Sequence, residues 1–141
     1  WVWREGIAGL IPEAGLLALR DALVIDDPAL IQGSTITPAP FRSNGSLPVE
    51  CGCPVAYALW KSGSFTVRAV AGHFRAVLNE AERKLGVEGA SRSFLNEWDD
   101  LPRWKAREEL LDAVEAELRQ RCGEVPPRPE VPAAATPDLP F

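Results

Sequence analysis

The chain has 141 residues, 46% of them hydrophobic and 25% charged, a formal net charge of −5 and a pI of about 4.9. That length suits one ordinary domain, which buries roughly two-thirds of its unfolded surface and so needs neither metal nor disulfides to build a core. The acidic balance argues against a nucleic-acid partner held through phosphate contacts, and no stretch approaches the ~18 apolar residues of a membrane span.

The chain opens at Trp1 and contains no Met, so further residues are expected before it. Its first residues lack the basic, apolar and small-residue order of a signal peptide. Pro12 sits where a first helical turn tolerates proline. Leu16, Leu19 and Leu23 then recur at helical spacing, with Arg20 and Asp21 directed away, which predicts a helix over 12–25. Asp26-Asp27-Pro28 ends it, because the residue before a proline avoids helical geometry. Asp27 is placed to cap a short turn through Ile31. Residues 32–52 read as a long irregular loop rich in proline and glycine, with the turn-like Ser43-Asn44-Gly45-Ser46 and room for a short strand at 34–37.

Pro54 starts a nearly all-apolar helix over 54–61, suited to the centre of a bundle. Thr66 is a cap for a helix over 67–85, where Val67, Val70, Ala71, Phe74, Leu78, Ala81 and Leu85 form one stripe and Gly86 ends it. Ser91 is read as the cap of a short helix over 91–98, and Asp100 as the cap of a last helix over 103–122. That helix places Trp104, Leu111, Val114, Leu118 and Cys122 on one face. The stripes of 67–85 and 103–122 are expected to pack on each other with 54–61 between them. The expected fold is all-α: a small helical bundle over 1–122, with no sheet beyond two short strands.

Residues 123–141 are different material. They hold six of the thirteen prolines and form a Pro-rich extended tail. Val125, Val131, Leu139 and Phe141 are its sizeable apolar groups, and they are expected to lie on another chain. Trp1 and Trp3, at the other end, are the remaining candidate interface anchors. Trp60, Trp98 and Trp104, on helices, are expected in the core.

Two stretches carry a resemblance. One is Cys51-Gly52-Cys53-Pro54-Val55-Ala56-Tyr57-Ala58-Leu59. The other is Phe94-Leu95-Asn96-Glu97-Trp98-Asp99-Asp100-Leu101-Pro102, followed by Glu108-Glu109-Leu110-Leu111. With Ile31-Gln32-Gly33 upstream, this order resembles a family of small uncharacterised proteins of actinobacteria and their phages. Members carry a Gln-Gly step, a Cys-x-x-Gly-Ala-Leu-like helix, Trp-Asn-Asp-x-Pro-Gly-Arg-Thr and a final amphipathic helix. The resemblance covers about residues 16–121. It departs at Asp99-Asp100 for Asn-Asp, at Arg103-Trp104-Lys105 for Gly-Arg-Thr and at Ala56-Tyr57 for Gly-Ala. It implies fold and origin, and no chemistry.

Three constellations could carry chemistry. Cys53 precedes a helix start, where the dipole activates a thiol. With His73 and Asn96 (or Asp99) it follows the chain order of papain-like enzymes; the plainer reading is a small buried hydrophobe. Cys51, Cys53, His73 and Cys122 offer a Cys3His set, but Cys-x-Cys is tighter than usual zinc spacing. The odd cysteine count, and the strain of bridging Cys51 to Cys53, point to a reducing, cytoplasmic setting; the resemblance implies the inside of a phage particle as the alternative. Asp99 and Asp100 as paired carboxylates yield to the capping reading. No phosphate loop, dinucleotide motif or nucleophile elbow occurs, and no cofactor is expected. The expected function is non-enzymatic: protein–protein contact or assembly, with another protein or a second copy as partner. The alternatives are a cysteine enzyme using Cys53 and a small-ligand or metal module at the Cys51–Cys53 loop.

Overall fold

The computed structural model describes residues 1–39 and 45–131. Its helices are α1 (Glu13–Ile25), α2 (Pro54–Lys61), α3 (Val67–Leu85), α4 (Ala90–Asp100) and α5 (Arg103–Cys122). Two short strands, β1 (Ile36–Thr37) and β2 (Cys51–Gly52), pair antiparallel, Ile36 opposite Gly52 and Thr37 opposite Cys51. The fold is all-α with this one small ladder among the described residues. None of the described helices is long and apolar enough to cross a membrane.

The chain also begins with helical structure that the sequence reading lacks. A π-helical turn over Trp3–Ile7 and a 3₁₀ turn over Ala8–Leu10 precede α1. Trp3, Ile7 and Ile11 are buried at four-residue steps, so the signal is periodicity itself.

Helix α2 occupies the centre. Pro54 through Leu59 are all buried, with α1 on one side and α3 on the other. Gly15 lets α1 approach α2, since a Cβ there would collide with the Ala58 carbonyl oxygen and Ser62 Oγ. The expected pairing of α3 with α5 is corrected. Helix α5 packs mainly on α1, while α3 packs on α2, α4 and the N-terminal turns. The face of α5 that is buried runs Ala106, Leu110, Val114 and Leu118, at steps of four. Trp104 lies off that row, and Cys122 continues it only at the last residue of the helix; both are exposed, which corrects their placement in the core stripe.

Thr66 Oγ1 accepts from Ala69 N at 3.2 Å, and Asp27 Oδ1 accepts from Ala29 N at 2.9 Å. The other two expected caps are corrected. Helix α4 starts at Ala90 after Gly89, so Ser91 lies inside it, and its hydroxyl donates to the Leu78 carbonyl at 3.0 Å. Asp100 is the last residue of α4; Pro102 stands at the cap position of α5 and offers no side-chain acceptor.

The tail is corrected most. Its described part lies on the chain's own body. Val125 packs half-buried on the core. Arg20, expected to face water, is 2% exposed and donates to the carbonyls of Pro126 at 2.6 Å and Pro127 at 3.2 Å. Proline lacks an N–H, so its carbonyl is the backbone group left to bond, and an arginine fork supplies the donors. Arg128 forms a forked ion pair with Glu115, itself 3.5 Å from Arg20. The Arg128 guanidinium holds the Glu115 carboxyl below the usual carboxylate range. Val131 is exposed, and Leu139 and Phe141 lie outside the described residues.

Candidate functional site

Helix α4 is held by polar bonds to its neighbours. Gln32 Nε2 donates to the carbonyls of Trp98 at 2.6 Å and Leu101 at 3.0 Å, which satisfies acceptors left open at a helix end. The Trp98 indole N–H donates to Ile31 O at 2.9 Å, and Gly33 N donates to Asp99 Oδ1 at 2.8 Å. These bonds tie α4 to the segment before β1. They do not bring it flush against the N-terminal turns and α5, and a cavity of about 390 Å³ lies between them.

The cavity is aromatic. Trp3 and Trp98 are buried, and Phe94 stands against Trp3 with ring centroids 5.6 Å apart and planes tilted by 31°. Ala106 and Leu110 of α5 complete the apolar lining. Trp1, 68% exposed, also lines it, as do the exposed Arg4, Glu97 and Glu109. None of these three charged groups has an ion pair among the described residues. One polar atom is out of balance: Trp3 Nε1 is buried without a hydrogen-bond partner among the described residues, though Trp3 is only 3% exposed. A buried donor left unpaired is costly, and native chains hold few of them.

A second, larger hollow of about 700 Å³ lies on the other flank of α4, between α3 and β1. Phe74, Leu78 and Leu95 line it together with Arg75, Arg92, Glu82 and Asp99. Its charges balance, and Asp99 and Glu82 already accept from backbone N–H groups.

The residues proposed from sequence for nucleophilic chemistry are not brought together. Cys53 is buried as the residue before α2, and burial pushes its thiol up to about 12 despite the nearby helix N–H groups. His73 is exposed on α3, its Nδ1 bonded with Ser64 Oγ at 2.8 Å. Asn96 is exposed and lines the second hollow. The Cys3His set is corrected too: Cys122 sits at the end of α5, donating to Glu13 Oε1 at 2.8 Å. Among the described residues no three His, Cys, Asp or Glu side chains group closely enough to hold a metal ion. Of the six interface anchors read from sequence, Trp1 and Trp3 meet at the aromatic cavity. Arg4, Phe94, Glu97, Trp98 and Glu109 were not read as a site. No local motif links them; the signal is the density of aromatics in two stretches about ninety residues apart.

Comparison of the chain with protein-family models, with curated proteins and with solved structures finds no match.

Proposed function

We propose that this chain is a non-enzymatic binding component that holds a segment of another protein in the aromatic cavity between its N-terminal turns, α4 and α5. One observation carries the reading: an aromatic hollow lined by Trp3, Phe94 and Trp98 whose lining also includes the exposed Trp1. Tryptophans in hollows that exclude water are the side chains on which interfaces concentrate their energy. A compound filling only the hollow leaves the outer face of Trp1 in water, whereas a peptide running across it covers that face as well. The absence of catalytic motifs and the aromatic Trp1 and Trp3 support an accessory or assembly role, in the cytoplasm or within a phage particle. The net charge of −5 favours a basic partner over a second copy of this chain.

The test is selection of displayed peptides on the immobilised full chain. Peptides that bind the native chain are expected to lose affinity for Trp1→Ala and to keep it for Phe65→Ala, an exposed aromatic that does not line the cavity. Selected peptides that bind Trp1→Ala as well as the native chain would overturn the reading.

A further inference from the structure

The surface where α1 and α5 meet is fitted to a proline segment, and the chain's own residues 125–128, Val-Pro-Pro-Arg, lie on it. Prolines at 126, 127 and 129 favour an extended form with three residues per turn, which sets positions 125 and 128 on one face. Both side chains meet the body: Val125 packs half-buried on the core, and the Arg128 guanidinium forks onto Glu115, with Nε 3.0 Å from Oε2. Between them Arg20, buried in α1, donates to the carbonyls of Pro126 and Pro127. Among the described residues no backbone N–H of 124–131 donates to a carbonyl of the body. The segment is therefore held through its carbonyls and side chains, the groups that a proline-rich chain has to offer. It lies shallow, with Pro126, Pro127 and Arg128 exposed, and one covalent link at Gly123 joins it to α5. The groove also keeps its charges paired when the segment leaves. Arg20 Nε donates to Asp21 Oδ1 at 2.8 Å, and its guanidinium stands 3.5 Å from the Glu115 carboxylate.

We propose that the α1–α5 groove is a binding site for extended apolar-Pro-Pro-Arg segments, closed in the free chain by its own residues 125–128 and opened to a partner protein that carries the same motif. The site stands apart from the aromatic cavity, whose lining includes none of Arg20, Glu115, Val125 and Arg128. A ligand tethered by a short link acts at an effective concentration on the order of millimolar. The tail is thus an internal competitor, and a segment supplied in trans binds weakly until the tail's own hold is reduced.

The probe is a fluorescein-labelled, C-terminally amidated peptide, Gly-Glu-Val-Pro-Pro-Arg-Pro-Glu, the sequence of residues 123–130, titrated with full-length chains and read by anisotropy. It is expected to bind the double variant Val125→Ser, Arg128→Met about tenfold more tightly than the native chain, because that variant loosens the competitor and leaves the groove intact. Should the double variant lose helical signal, Arg128→Met alone takes its place, with a gain of about two- to fivefold, the span for exposed ion pairs. Methionine in place of the peptide's arginine should weaken binding by the same two- to fivefold, and adding Glu115→Gln to the variant should abolish that difference between the two peptides. Trp1→Ala should change nothing. Equal affinity for the native chain and the variant would overturn the proposal, as would a peptide that binds neither at millimolar concentration. So would a methionine peptide that binds as tightly as the arginine one. Loss of binding with Trp1→Ala would assign the peptide to the aromatic cavity instead. A native dimer that dissociates in the double variant would identify a second copy's tail as the occupant, which overturns the closed arrangement within one chain.

Discussion

The two halves of the molecule are built differently. Around α2, the helices meet through apolar faces: Leu16, Leu19 and Leu23 of α1, Val55 and Ala58 of α2 and Val67 and Val70 of α3 are all buried. Gly15 allows a close approach that no other residue permits. Around α4, Trp98 is buried and Phe94 and Leu95 pack half-buried on the core, and bonds to Gln32, Ile31 and Gly33 hold the helix as well. A hollow opens on each of its flanks. Apolar faces close against each other because any gap forfeits contacts on both sides. Directional bonds fix a helix at a given distance whether or not the space beside it is filled. The packed half supplies stability, and the bonded half has room for a partner.

Chemical reactivity separates the halves most. Cys53 lies in the packed half, and a thiol raised from 9.0 to about 12 carries about a thousandfold less thiolate at neutral pH. Iodoacetamide should therefore modify Cys53 far more slowly than a model thiol, while the half-exposed Cys51 and exposed Cys122 react in the native state. Mass spectrometry of peptides over time checks this, and fast labelling of Cys53 would mean that the packed half opens.

Core truncation comes next. Leu19→Ala, at a fully buried site in α1, should cost about 2–5 kcal/mol, whereas Leu95→Ala, beside the second hollow on α4, should cost about 1 kcal/mol. Urea unfolding of both variants measures the contrast, and equal losses would show that the halves are packed alike.

The tail sharpens the comparison, because it belongs to the packed half. Deleting residues 124–141 takes the Pro126 and Pro127 carbonyls from Arg20 and Arg128 from Glu115, and should lower stability by about 1–3 kcal/mol while the chain stays helical. The pH dependence follows from Glu115, whose carboxyl is held below its ordinary 4.5 chiefly by the hydrogen bond from Arg128. A lowered folded value means that the stabilisation is full above the unfolded value and is lost as pH falls through the folded one. The difference in urea midpoint between the native chain and Arg128→Met should thus be constant near neutrality, begin to shrink as pH falls past about 4.5 and vanish only below the folded value. A difference that survives in acid would mean the ion pair does not hold the tail.

The smallest effect is a matched pair. Trp98→Phe removes a hydrogen bond that is made, to Ile31 O, whereas Trp3→Phe removes a donor without a partner. Trp98→Phe should cost about 1 kcal/mol more than Trp3→Phe, by thermal or urea unfolding. The reverse order would show that Trp3 Nε1 has an acceptor in solution.

The sequence by itself determined the class of fold and three of the helices. The ranges 54–61, 67–85 and 103–122 agree with the structure residue for residue, because their punctuation is local: Pro54 at a first turn, Thr66 as a cap, and Gly86 and Gly123 with positive φ at helix ends. Only the tertiary structure decided which faces meet and where they fail to meet. Periodicity marks a helix as apolar on one side without naming the face that will cover it, so the pairing of α5 with α1 was not legible. Arg20 reads as a surface residue until the tail and Glu115 lie over it. The aromatic cavity joins Trp3, Phe94 and Leu110, residues far apart in the chain, and it exists because three elements stop short of one another. Such a gap is a property of packing geometry, to which no local pattern of residues corresponds.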